Sequence, residues 1–511
     1  MYPDKKGQIE MKELSGWFTV GKKLNPENRW IKMAATIPWY EFEKEYSKKF
    51  STKSHYTAHP ARMGLGTLII QRMLNLSDRQ TVEIIKENPY LQFFIGLENF
   101  SDELPFHHTM LAKWRKRVST EMMIKLINNV GGLETYDEES ESDDNDDNNS
   151  DKSGTGGGSE PELAEETGDT GNEGEIILDA TCVPADIRYP TDVSLLNESR
   201  EKLEKIIDGM YAGSNNTEKP KARTYRRKAH QKYLSFAKQR HPNHQKVRKA
   251  VKAQLGFVKR DIRIIKSMLE NEPALIDLLS KMQKRDWETI QKLFLQQEEM
   301  YSEHKSTVKD RIVSIRQPHI RPIVRGKANA KTEFGAKLSL CLFNGYAFID
   351  RLQFDPYNES EDLIPSVERF KKLTGHYPKA VLADHIYRNR TNLSYCKLHH
   401  IRLSGPRLGR PAKKVDDEDR LIARKDMSRR QAVEGKFGEA KRFYGMNRNM
   451  GKTDHTSMVM IALDVLVLNI RNRLKDFLTL FQNWLFPFSE LLENRYQLFK
   501  MAKTCQFLGF A

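Results

Sequence analysis

The stretch that decides the fold lies near the C-terminus and reads Arg430-Gln-Ala-Val-Glu434-Gly-Lys-Phe437-Gly-Glu-Ala-Lys441. An α-helix turns by about 100° per residue, so positions four and seven apart share a face. Arg430, Glu434, Phe437 and Lys441 are therefore predicted to lie on one stripe of the helix. A carboxylate flanked by two cations suits a site where a divalent metal lies beside phosphates. The alternative is a solvated helix face with an i,i+4 ion pair.

Two further carboxylates follow short apolar runs, in Glu175-Ile-Ile-Leu-Asp179 and in Lys379-Ala-Val-Leu-Ala-Asp384. An aspartate at a strand end is well placed to face a crevice at the edge of a sheet. The commoner fate of such a residue is to cap or turn the chain. Together with Glu434, the two aspartates form an Asp-Asp-Glu set whose oxygens suit Mg²⁺ or Mn²⁺. Two such metals would activate a water or a 3′-hydroxyl and stabilise the leaving oxygen during attack on phosphorus.

At these positions the chain resembles the DDE transposases of bacterial insertion sequences, the large group with the Tyr-x2-Arg-x3-Glu-x6-Lys signature. Five residues match the aspartates and the signature of that group: Asp179, Asp384, Arg430, Glu434 and Lys441. Residues 88–97 and 331–339 also look like regions of this family, and the resemblance runs from about residue 28 to 473. The sequence departs from the signature at Met427, where the family has tyrosine.

The resemblance implies an RNase H-like core that carries out Mg²⁺-dependent DNA strand cleavage and transfer, with Mn²⁺ as a substitute cation. It also implies binding to the terminal inverted repeats of the element and to target DNA, as a homodimer or higher oligomer. Arg430 and Lys441 would hold phosphates, and Glu439 is the reserve candidate for the third carboxylate. The alternatives are a metal-dependent nuclease on the same fold and a non-catalytic, domesticated DNA-binding protein.

Composition favours a polyanionic partner. The 511 residues carry a formal charge of +15 and a pI near 9.3. Residues 137–175 hold 16 acidic side chains and one lysine, so the rest of the chain carries +30. A charge of this size is typical of nucleic-acid binding, with a merely soluble basic protein as the alternative.

The compartment is predicted to be the bacterial cytoplasm, in association with the nucleoid. The four cysteines are widely spaced and indicate a reducing environment without a disulfide framework. No secretory signal is visible at the start of the chain. The most apolar run, residues 458–470, is too short for a membrane span and contains Asp464, so it is predicted to be a buried helix.

The N-terminal part, residues 1–133, is predicted to be an all-α DNA-binding domain. Helical apolar spacing covers residues 61–74, and Ser77 is the predicted N-cap of the next helix. A third helix at 106–118 ends in Arg115, Lys116 and Arg117. Short helices whose last member is basic are compatible with a helix-turn-helix-like DNA reader, or alternatively with a bundle whose cations are only solvated.

The remaining chain is predicted to be α/β. Residues 134–175 form an acidic disordered linker, 176–480 an RNase H-like domain in which helices flank a mixed sheet, and 481–511 a helical tail. Strands are predicted at 183–189, 311–315, 336–354 and 400–404, with a tight turn at Asn344-Gly345 and a helix at 363–374.

A helical insertion at about 199–308 explains why Asp179 and Asp384 lie 205 residues apart, whereas only 50 residues separate Asp384 from Glu434. Residues 219–263 hold 16 Lys or Arg and one acidic residue. Such a segment suits DNA phosphates, with a solvated helical hairpin as the alternative. The cations chosen as its DNA contacts are Arg226, Arg227, Lys228 and Lys232.

Overall fold

The computed structural model describes residues 24–50, 58–132, 171–214, 220–324, 332–406 and 417–476. The predicted acidic linker lies outside the described residues up to position 170, and the predicted tail at 481–511 lies outside them entirely.

The N-terminal region is all-helical within the described residues. The predicted cap at Ser77 is confirmed, because its hydroxyl accepts from the Gln80 N–H while the Gln80 side chain accepts from the Ser77 N–H. The predicted helices at 61–74 and 106–118 are also present. The helices are α1 (Arg29–Thr36), α2 (Trp39–Ser47), α3 (Ala61–Leu74), α4 (Asp78–Glu87), α5 (Pro89–Phe94), α6 (Thr109–Arg117) and α7 (Thr120–Val130).

A mixed sheet forms the centre of the molecule. Its strands are β1 (Glu175–Pro184), β2 (Arg321–Val324), β3 (Thr332–Phe343), β4 (Tyr346–Gln353), β5 (Ala380–Leu382) and β6 (Arg402–Leu403). The order is β2-β3-β1-β5-β6, and β4 also pairs with β3. β1 is antiparallel to β3 and parallel to β5, which is parallel to β6. The β3–β4 hairpin turns at Asn344 and Gly345, both with positive φ, as predicted.

Two strand predictions are wrong. β1 does not stop at Asp179 but runs on to Pro184, because β3 continues to pair with it, so no separate strand exists at 183–189. This pairing depends on Gly335, where a Cβ atom would lie 2.0 Å from the carbonyl oxygen of Val183. Residues 311–315 are not a strand either. Their apolar pattern arises because Ile312 and Ile315 pack into the core of the insertion and Val313 packs into the core of the sheet.

The insertion is a helical unit with its own hydrophobic core. It consists of α8 (Asp192–Gly213), α9 (Arg226–Ala237), α10 (His244–Asn271) and α11 (Lys281–Ser302), so its helices begin before the predicted residue 199 and end before 308. Apolar side chains from α8, α10 and α11 form a cluster separate from that of the sheet. α9 contributes one buried residue, Ala229, and is otherwise exposed or half-exposed.

The helices that cover the sheet share one core with the N-terminal helices. They are α12 (Leu363–Thr374), as predicted, α13 (Arg390–Leu398), α14 (Asp417–Phe443) and α15 (454–476), which contains the predicted buried run. Arg72 of α3 forms a buried bidentate ion pair with Asp464 of α15, at 2.5 and 2.7 Å. Among the described residues, no helix is both long enough and apolar enough to cross a membrane.

Asp261→Asn is expected to stabilise the insertion at neutral and alkaline pH. Asp261 of α10 is fully buried, and neither of its carboxylate oxygens accepts a hydrogen bond within the described structure. Burial and the nearby Glu204 raise its pKa from 3.8 to about 7. A carboxyl with a raised folded-state pKa stabilises the fold below the unfolded-state pKa, and this stabilisation is lost as pH rises through the folded-state value.

The wild-type insertion is therefore expected to lose stability between about pH 4 and pH 7, and the Asn variant to lose less. Thermal melts over this range should show a melting temperature at pH 8 that is higher by about 2–4 °C in the variant, equivalent to about 1 kcal/mol. Asp277→Asn is the control, because Asp277 is largely exposed. If the melting temperatures of wild type and Asp261→Asn change with pH in the same way, the prediction is contradicted.

Candidate active site

The two aspartates lie side by side because their strands are parallel neighbours. Ile177 of β1 pairs with Leu382 of β5. Asp179 and Asp384 each lie two residues beyond this last pair, so the pairing brings both aspartates to the same end of β5, where neighbouring strands are about 4.8 Å apart. Asp384 follows the end of β5 after one residue, Ala383, whereas Asp179 lies within β1 and pairs with Leu340 of β3.

Glu434 is presented by α14, which packs against β1 and β5. Val433, Phe437 and Ala440 are buried and fix the orientation of this helix. Glu434 itself remains exposed. The stripe predicted for this helix differs in one respect, since Phe437 serves as an anchor in the core.

Arg430 connects the carboxylates. Its Nη1 donates to Asp384 Oδ1 at 3.2 Å, and its Nη2 lies 3.5 Å from Glu434 Oε1. Its positive charge also lowers the pKa of Asp179. The predicted i,i+4 ion pair on the helix is therefore present, but the guanidinium extends from it to the strand-end aspartate. Arg430, Asp179, Asp384 and Glu434 are four of the five residues predicted from the signature pattern, and each of these three carboxylates interacts with Arg430.

The side chain of Lys441 is held beside β1, two residues beyond Asp179. Its Nζ donates to Thr181 Oγ1 at 2.8 Å, and Thr181 lies two residues after Asp179 on the same face of β1. Arg430 and Lys441 are thus both cations close to the carboxylates, and both side chains are suited to phosphate contacts.

The two aspartates have opposite electrostatic environments. Burial, together with the negative charge of Glu434, raises the pKa of Asp179 to about 6. For Asp384, burial acts in the same direction, but hydrogen bonds from the side chain and N–H of His385 and the charge of Arg430 outweigh it. Its pKa therefore lies below the ordinary value. Asp384 is thus ionised at neutral pH, whereas for Asp179 the effects of burial and of the neighbouring carboxylates outweigh the charge of Arg430.

Sequence reasoning missed two neighbours of the site. Glu359 begins a short 3-10 turn after β4, and its charge raises the pKa of Asp179 further. It is held by Lys337 at 2.9 Å. His385 Nδ1 donates to the ionised Asp384 Oδ1 at 2.9 Å, and the side chain of His385 is largely exposed. No spacing rule pointed to Glu359, whereas His385 was visible as the residue after the aspartate.

The carboxylates fit a hard divalent cation by their chemistry. Carboxylate oxygens are the ligands that Mg²⁺ and Mn²⁺ prefer. Burial, and to a smaller extent the charges of Glu359 and Glu434, raise the pKa of Asp179, and a bound cation would offset both effects. Within the described residues, no three His, Cys, Asp or Glu side chains are already gathered at metal-binding distance. In this arrangement Arg430 provides the positive charge between Asp384 and Glu434.

Glu439, the reserve ligand, faces elsewhere. It forms an ion pair with Arg471 at 3.1 Å and accepts from the Tyr444 hydroxyl at 3.3 Å. Glu434 therefore remains the better third carboxylate.

The predicted DNA contacts outside this site have varied environments. Arg115 forms a 2.5 Å ion pair with Asp78, the Arg117 guanidinium stacks over Phe50, and Lys116 is exposed. In the insertion, Arg227 and Lys228 are exposed. Arg226 pairs with Asp208, and the Lys232 ammonium lies 5.7 Å from the ring centre of Phe257.

Two family models match the chain. One, described as a transposase DDE domain, matches residues 381–471 and so includes Asp384 and Glu434. The other, described as a transposase domain (DUF772), matches residues 18–117. The chain is related to the DDE transposases. The matches cover the N-terminal helices and the second half of the core, and leave Asp179 and the insertion outside.

The chain is also similar to a curated protein whose name states no activity. The chain is 25% identical over 182 residues to the uncharacterized protein ORF8 in the nfe locus of Rhizobium meliloti, across 35% of this chain and 73% of that protein. No solved structure matches the chain.

Proposed function

We propose that the chain is an insertion-sequence transposase that binds the terminal inverted repeats of its element and catalyses metal-dependent DNA strand cleavage and strand transfer. The observation that carries this proposal is the convergence of Asp179, Asp384 and Glu434 around Arg430. These carboxylates come from three distant segments of the chain, and an ion pair confined to one helix surface would not require that.

The sheet supports an RNase H-like core. Without the short strand β2, the order is β4-β3-β1-β5-β6, with β3 antiparallel to both β4 and β1, and with β5 and β6 parallel to β1. A central strand bearing one aspartate, next to a parallel strand that ends in another, is the arrangement that the resemblance implies. The insertion follows β1 and returns before β2, so it leaves this order unchanged.

Each charged group has a distinct part in the proposed reaction. Asp179, Asp384 and Glu434 would hold Mg²⁺ or Mn²⁺, which supplies activation of the attacking hydroxyl and stabilisation of the leaving oxygen. Arg430 would bind a phosphate of the DNA end in bidentate fashion, and Lys441 would act on a neighbouring phosphate as a point charge. Burial of Phe437 and Val433 fixes the position of α14, and therefore of its charged groups, relative to the sheet.

The test is a cleavage and strand-transfer assay with purified protein, Mg²⁺ and DNA containing the sequences that flank the gene. A transposase joins the cleaved 3′ end to a target duplex. A nuclease on the same fold would cleave without joining, and a non-catalytic relative would bind without cleaving. Either of these outcomes would overturn the proposal.

Arg430→Ala is expected to reduce strand transfer by about 10–100-fold, the effect of losing hydrogen bonds to a charged group. Bulk DNA affinity should change much less, because many other cations contribute to it. Arg424→Ala is the matched control, since Arg424 is exposed on the same helix. Unchanged strand transfer in Arg430→Ala would show that the contact with Asp384 and Glu434 is only a surface ion pair.

A further inference from the structure

The loop before α9 and the first turn of that helix form a strongly cationic cavity of about 440 Å³, lined by residues 221–228. From residue 221 to 252 the chain contains 12 Lys or Arg and no Asp or Glu. Almost all of α9 is exposed. Five of the residues that line the cavity are cations: Lys221, Arg223, Arg226, Arg227 and Lys228.

These cations fall into two groups. Arg226 makes a bidentate contact to Asp208 of α8, from Nη2 to Oδ1 at 2.7 Å and from Nη1 to Oδ2 at 3.1 Å. Lys221 also pairs with Asp208. In the described structure, Arg223, Arg227 and Lys228 have no carboxylate partner and face solvent. One carboxylate thus engages two cations of the cavity.

The contacts of Asp208 are exchangeable. About a third of its side chain is exposed, as are similar fractions of Lys221 and Arg226. Ion pairs with this exposure contribute little to stability and are screened by salt. Phosphates of a DNA duplex present the same bidentate acceptor geometry to arginine, and their binding also releases condensed counterions.

We propose that Asp208 competes with a DNA backbone phosphate for Lys221 and Arg226, and thereby sets the affinity of the insertion for DNA. This inference rests on the proposed function, in which the chain binds DNA. The phosphate enters the cavity at 221–228, is met first by Arg227 and Lys228, and replaces Asp208 on the other two cations. Asp208 then remains beside the phosphate as a repulsive charge.

The test is the affinity of the full chain for a duplex of about 25 base pairs of arbitrary sequence, at salt concentrations between about 50 and 200 mM. Asp208→Asn is expected to raise affinity about fivefold at low salt, the equivalent of about 1 kcal/mol. It should also steepen the slope of log affinity against log salt by roughly 0.9, because one more counterion is released.

Glu298→Gln is the matched control. It removes one exposed carboxylate from the same helical unit, where Glu298 pairs with Lys259 on a part of α10 outside the cavity. Its effect on affinity is expected to be less than about twofold. Equal effects of Asp208→Asn and Glu298→Gln would show that DNA affinity depends only on the net charge of the protein, and would overturn the inference.

A double variant, Arg227→Ala with Lys228→Ala, separates this inference from the function on which it rests. A loss of affinity in the double variant, with no change in Asp208→Asn, would leave DNA binding by the insertion in place and refute competition by Asp208. Unchanged affinity in the double variant, or no binding by the wild type, would instead refute the DNA contact of the insertion itself. Circular dichroism of each variant checks that the helices remain folded.

Discussion

Asp179→Asn, Asp384→Asn and Glu434→Gln are each expected to reduce DNA cleavage by at least about 10³-fold, equivalent to roughly 4 kcal/mol of transition-state stabilisation. Each substitution keeps the shape of the side chain and removes the charge that would hold the cation. The loss should be in the chemical step. Binding of the same DNA should change little, because it depends on cations spread over the insertion and on Arg430 and Lys441.

The measurement is single-turnover cleavage of end-sequence DNA with Mg²⁺, compared with the affinity of each variant for the same duplex. Glu439→Gln is the matched control, because Glu439 lies on the same helix but pairs with Arg471 away from the site. It should retain cleavage close to the wild-type rate. Full cleavage by any one of the three carboxylate variants would remove that residue from the proposed metal site.

A second large effect is expected from Arg72→Ala. Arg72 of α3 and Asp464 of α15 are both buried, and their bidentate contact joins the N-terminal helices to the helix that supports the sheet. Removing the guanidinium leaves an unpaired carboxylate in the core, which typically costs about 3–5 kcal/mol. Arg72 also lies against Gly445 at the end of α14, so the loss should extend to the helix that carries Glu434.

Chemical denaturation of Arg72→Ala should show a lower free energy of unfolding than that of the wild type. The combined variant Arg72→Met with Asp464→Leu should recover most of the loss, because it removes both charges and keeps the volume apolar. Arg420→Ala, which breaks an exposed pair with Asp417, should have almost no effect. A loss below about 1 kcal/mol in Arg72→Ala would show that water or another group compensates Asp464.

Local patterns predicted a large part of the fold. The capping box at Ser77, the Asn344-Gly345 hairpin and the helix at 363–374 depend on interactions within a few residues, and the structure contains all three. The wrong strand predictions occur where contacts between distant segments of the chain determine the secondary structure. β1 extends past Asp179 because β3 pairs with residues 177–184 of β1, and Gly335 allows the two strands to approach closely.

The cationic residues also show that local sequence patterns do not predict contacts between distant segments. Charge alone selected Arg115 and Arg226 as DNA contacts, but the structure places each beside a carboxylate from another helix, Asp78 and Asp208. Those partners lie 37 and 18 residues away, so no local pattern links them. Exposed Arg227 and Lys228 meet no such partner in the described structure.

The sequence by itself determined which residues carry the candidate chemistry. The helical spacing of Arg430, Glu434 and Lys441 and the apolar runs before Asp179 and Asp384 are local properties, and together with the family resemblance they selected the candidate site. Only the tertiary structure decided how these groups meet. Parallel pairing of β1 with β5 brings the two aspartates to the same end of β5, and Arg430 reaches across from α14 to join Asp384 to Glu434. The contribution of Glu359 also appeared only there, because it depends on packing between segments 180 residues apart in the chain.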